Sequence, residues 1–66
     1  MKNKWIHLPA EGTLNEAWEI TSKSLIVHYT HAWRIIYPIA LAGNSSNDTE
    51  VLKTEVDNYL KERDNG

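Results

Sequence analysis

A chain of 66 residues is long enough for one small domain, and too short to bury a large core; a domain of this size hides only about 60% of its unfolded surface. It has no cysteine, which excludes disulfides, thiolate metal sites and redox work by the chain itself. Seven bases against nine acids leave a net charge of −2, so no global field draws it to nucleic acid.

The N-terminal run from Met1 to Pro9 carries Lys2 and Lys4 but no apolar stretch ending in a small-residue cleavage site. A secretory signal is not expected, and the expected location is the cytoplasm. Residues 3–8 alternate loosely around Trp5, Ile6 and Leu8, and Pro9 and Gly12 then break the chain. This predicts an extended arm over residues 1–12, laid against the rest of the molecule in the manner of an edge strand.

Thr13 followed by Glu16 has the spacing of a capping box and predicts a helix start. From there to Leu41 the apolar residues fall into one helical phase. Leu14, Trp18, Leu25, Tyr29, Ala32, Trp33, Ile36, Ile39 and Ala40 gather on one face, and Glu16, Lys23, Thr30, His31, Arg34 and Pro38 on the other. The propensities of Ile20 to Ser24 and of Leu25 to Thr30 oppose a helix, and Ile26 to Thr30 would suit a strand. The shared phase favours one long helix over about 13–42, kinked near Arg34 to Pro38, where a proline on the wet side does least harm. Val27 and Leu41 interrupt the polar stripe.

Gly43 is placed to end that helix, and Asn44 to Asp48 form a polar turn. Asn47 or Asp48 then caps a second helix over about 48–62, with Val51, Leu52, Val56, Tyr59 and Leu60 as its apolar stripe. Asp48 and Glu50 suit the positive end of its dipole, and Lys61 and Arg63 the negative end. The expected fold is therefore all-α: the arm of residues 1–12, then a single domain over 13–66 made of a helical hairpin. The alternative is α+β with a small sheet, with strands near 3–8, 25–30 and 33–39 and helices near 14–23 and 49–62.

Charge is unevenly spread. No acid occurs between Glu19 and Asp48, where Lys23 and Arg34 are the only formal charges; six acids and three bases follow from Asp48 onward. Residues 25–42 are apolar at 13 of 18 positions, but His28, His31, Arg34 and Pro38 interrupt them. A central arginine alone costs about 2.5–3.5 kcal/mol on insertion scales, so a membrane span is not expected.

Chemistry is sparse. His28 and His31 are three apart and His7 offers a third imidazole, but no acid lies nearby to complete or orient a metal site. No nucleophile elbow or phosphate-cradling glycine loop can be assembled, and Glu16 and Glu19, which could pair as carboxylates, have the spacing of an ordinary solvated helical turn, so neither an enzyme nor a cofactor is expected. A helix-turn-helix would need its turn at Ser22 to Ser24 and a recognition helix over 25–37. That helix would offer Ile26, Val27, Ile35 and Ile36, with only Arg34 able to read a base.

The long apolar face exceeds what a 14-residue second helix covers. The expected function is thus a small non-enzymatic protein-interaction module, an accessory, adaptor or inhibitor polypeptide that pairs with itself and binds another protein. The homodimer is expected to pack through Leu25, Tyr29, Ala32, Trp33 and Ile36. The contact with the other protein is expected at Lys23, Val27, His31 and Arg34, a lightly charged strip. A small DNA-associated transcriptional regulator is the alternative, with Lys2, Lys4, Lys23 and Arg34 as its phosphate contacts and Trp5, Trp33 and Tyr37 as stacking platforms.

Overall fold

Residues 24–28 and 33–37 are rich in β-branched and aromatic side chains, and they pair as strands. The computed structural model describes residues 4–21 and 23–65; for Asp64 and Asn65 it describes only the backbone. The start of the expected arm at residues 1–3, with Lys2, and the expected turn residue Ser22 lie outside the described residues.

Five strands are described: β1 (Ile6–Leu8), β2 (Ala17–Ile20), β3 (Ser24–His28), β4 (Trp33–Tyr37) and β5 (Ser45–Ser46). They form an antiparallel sheet in sequence order, β1-β2-β3-β4-β5. A 3-10 turn, Ile39–Leu41, follows β4, and one α-helix, α1 (Thr49–Asn65), closes the chain and packs on one face of the sheet.

The core forms where that helix meets the sheet. Ile20, Ile26 and Ile35 face Leu52, Val56 and Leu60, and Ile26, Ile35 and Val56 are fully buried. Trp5, Trp18, Trp33, Leu41 and Tyr59 pack around this cluster. Polar contacts add to the seal: Trp5 Nε1 donates to Asp57 Oδ1 at 3.3 Å, and Lys53 Nζ lies 3.4 Å from the centre of the Trp18 ring. Asp48 Oδ1 accepts from the Glu50 backbone N–H at 2.9 Å and caps α1 as expected. Leu52, Val56 and Leu60 occupy the predicted stripe, but Val51 is exposed, and α1 runs on past residue 62 to Asn65.

The all-α expectation is overturned. No long helix spans 13–42, so there is neither a kink at Pro38 nor a helical hairpin: that stretch holds β2, β3, β4 and the 3-10 turn. The α+β alternative describes the molecule, except that its helix near 14–23 is strand β2. The helical phase is a coincidence of spacing. Glu16, Lys23, Arg34 and Pro38 are 7, 11 and 4 apart, close to whole numbers of helical turns, yet Glu16 precedes β2, Lys23 lies in the β2–β3 turn and Pro38 follows β4.

The Thr13–Glu16 spacing is not a capping box either. Gly12 and Thr13 form a tight turn between Glu11 and Leu14, whose backbones exchange hydrogen bonds of 3.1 and 2.8 Å, and Gly12 supplies the positive φ of 58°. The Glu16 carboxylate instead meets His7 Nε2. Gly43 does turn the chain, at φ 98°, but after a 3-10 turn rather than a long helix. Among the described residues no helix is long and apolar enough to cross a membrane.

Candidate functional site

In a strand successive side chains point to opposite faces, so the register assigns every strand residue to a side. The pairs His7↔Trp18, Trp18↔Ile26, Ile26↔Ile35 and His28↔Trp33 place those side chains on the side of the sheet that carries α1. The remaining pairs define the face that α1 does not touch. One row crosses four strands as Leu8↔Ala17↔Val27↔Arg34 and ends on Ser45. A second row reads Ile6↔Glu19↔Leu25↔Tyr37. The ladder shifts register between Leu25 and Ile26, leaving Ile36 as the extra residue of β4.

This uncovered face is apolar where an antiparallel sheet normally turns polar residues to water. Ile6 is 44% exposed and Tyr37 52% exposed; Leu8, Leu25 and Val27 are half-buried, and Ala17 is buried. None of them belongs to the helix-side cluster. Glu19 and Arg34 are the charged residues of the two rows. Glu19 is half-buried between Ile6 and Leu25, and no ion pair joins it or Arg34 to another described residue.

The structure divides the residues singled out in the sequence. Of the expected dimer set, Leu25 lies on the uncovered face and Ile36 lies beside its partner Tyr37. Trp33 is on the helix side, tilted against His28 with ring centres 4.8 Å apart. Tyr29 and Ala32 belong to the β3–β4 hairpin, where the Tyr29 N–H donates to the Ala32 carbonyl at 2.8 Å. Of the expected strip, Val27 and Arg34 are direct cross-strand partners, whereas Lys23 and His31 sit in turns at opposite ends of β3.

A hollow of about 240 Å³ opens at the β3–β4 hairpin between Tyr29, His31, Trp33, Arg34 and Ser45, with the Arg34 guanidinium 5.5 Å from the centre of the Tyr29 ring. That is smaller than the roughly 300–1,000 Å³ of most ligand pockets. The three histidines are dispersed: His7 on β1, His28 under α1 and His31 in the hairpin turn. Among the described residues no group of three or more metal-ligating side chains is assembled.

Sequence reasoning missed Ile6, Leu8, Ala17 and Glu19 as members of the face. The signal lay in Leu25-Ile26-Val27, an apolar run without alternation, which marks a central strand bordered by apolar neighbours on both sides. No protein-family model matches the chain, and the searches of curated proteins and of solved structures found no match.

Proposed function

We propose that this protein is a small cytoplasmic, non-enzymatic interaction module that works by protein contact through the uncovered face of its sheet. One observation carries the reading: Ile6, Leu8, Ala17, Leu25 and Val27 share the apolar face opposite the helix, with Glu19 set between Ile6 and Leu25 and Arg34 at its rim. Contiguous apolar patches on small domains mark contact sites, because water disfavours leaving them bare. Val27 lies at the centre of this surface and Arg34 at its rim. A helix-turn-helix reader is not supported by the geometry, because residues 24–28 and 33–37 are strands and α1 is the single α-helix described.

The test is a photoreactive side chain at position 27, compared with one at the exposed Asn58 on the outer side of α1. In cells producing the protein, irradiation should give protein adducts from position 27 and few or none from position 58. No adduct from position 27, or equal yields from both, would refute the reading.

A further inference from the structure

We infer that the occupant of the uncovered face is a second copy of this chain, packed face to face about a twofold axis that pairs Glu19 of each copy with Arg34 of the other. The inference rests on the proposed contact face and names its partner.

The argument is geometric and electrostatic. Glu19 and Arg34 lie two strands apart and one row apart on the same face, on either side of β3. With strands about 4.8 Å apart and about 6.8 Å between alternate residues, their backbones are separated by roughly 12 Å. That span is too long for a direct ion pair within one chain, and none forms. Opposite charges held apart on one surface are, however, self-complementary. A twofold axis in the plane of the interface, set perpendicular to the line joining them, exchanges the two positions, so each carboxylate lands on the guanidinium of the other copy. Such an isologous contact doubles every interaction.

The midpoint of that line falls on β3, between Leu25 and Val27. The same operation that pairs the charges therefore centres the interface on the two apolar side chains of the middle strand, with Ile6, Leu8 and Tyr37 towards its margins. The line is inclined about 35° to the across-strand direction, so the strands of the two copies cross at about 70°, near the orthogonal class of sheet packing. Glu19 supplies a second reason. A half-buried carboxylate between Ile6 and Leu25 that has no ion pair among the described residues is better placed opposite a cation than in a bare apolar surface. Chain size agrees, since so small a core gains from association.

Sedimentation equilibrium on the purified full chain, with folding checked by circular dichroism, provides the test. The wild-type chain should show twice the mass of one copy at tens of micromolar, as expected for a modest interface. Glu19→Arg and Arg34→Glu should each weaken association by about tenfold or more, because each sets like charges opposite one another. The double variant Glu19→Arg/Arg34→Glu reverses both signs and should return association to within a few-fold of wild type, a rescue that a merely structural role would not produce.

Failure to rescue by the double variant, with both singles folded, would overturn the pairing. A wild-type chain that stays monomeric at hundreds of micromolar would overturn self-association; position-27 adducts of some other mass would then leave the contact-face reading standing. A dimer that survives Val27→Lys would place the contact elsewhere and overturn both.

Discussion

The two faces of the sheet use similar side chains to opposite ends. On the helix side Ile20, Ile26 and Ile35 are sealed by Leu52, Val56 and Leu60 into a continuous buried cluster. On the other side Ile6 is exposed and Leu8, Leu25 and Val27 are only half-buried. Strand β3 belongs to both, with Ile26 fully buried on one side and its neighbours Leu25 and Val27 half-buried on the other. Apolar identity therefore does not say what a residue does here. A sealed side chain stabilises the fold, and its neighbour on the same strand is left for association.

Substitutions can pull those roles apart. The largest loss of stability should come from Ile26→Ala, which opens a cavity at the centre of the sealed side. Deleting buried aliphatic groups costs about 2–5 kcal/mol, a large share of the stability of so small a domain. Urea unfolding followed by circular dichroism should find the variant largely unfolded or its midpoint greatly lowered, and a midpoint near wild type would contradict the assignment of the core.

Next in size, and opposite in character, is Val27→Lys. It should abolish association while changing the stability of the dilute monomer by less than about 1 kcal/mol, since its long stem can run along the open face with the charge in water. Sedimentation and denaturant titration at low concentration read the two effects separately. Loss of the fold would show that both faces are structural.

Asp48→Ala removes the cap of the helix that seals one face. The Glu50 N–H then loses its acceptor, and stability should fall by about 1 kcal/mol without altering association, as measured by thermal unfolding. The smallest effect is expected for Glu50→Gln. Its ion pair with Lys53 is 3.1 Å long, but the Glu50 side chain is 76% exposed. Exposed pairs contribute only about 0–1 kcal/mol, so the change should be a few tenths and should vanish at high salt. A larger loss would mean that Glu50 holds Lys53 over the Trp18 ring, and thereby helps to seal the core.

How far these faces were legible in the sequence differs along the chain. The C-terminal helix was readable because its signals are local: Asp48 at the cap, then Leu52, Val56 and Leu60 at helical spacing. Strands β2 to β4 were not. Period-2 alternation identifies a strand only when one face is polar, and here Leu25, Ile26 and Val27 are apolar on both faces. The strand propensity of Ile26 and Val27 agrees with the structure, whereas the helical phase of residues 14–41 is a chance alignment across three strands. The Thr13–Glu16 box misled for a similar reason. Two residues at the correct spacing matched a helix signature while Glu16 was committed to His7 on the neighbouring strand, a contact between residues nine apart.

Val27 and Arg34 share a stripe on a helical wheel, but in the structure they are neighbours across a ladder. Lys23 and His31 shared that stripe and are separated by the length of β3. Trp33 falls on the apolar face of a helical wheel in the sequence, but the parity of β4 turns it to the helix side beside His28.

By itself the sequence determined the small size, the lack of cysteine chemistry, the chain reversals at Gly12 and Gly43 and the capped C-terminal helix. These follow from composition and from interactions within a few residues. Only the tertiary structure decided the strand order, which side of β3 meets Leu52 and Val56, and the placing of Glu19 and Arg34 on one face. In a sheet, a shift of one residue in register moves every side chain to the opposite face, so the surface this protein presents is settled by pairing between strands and not by any one segment alone.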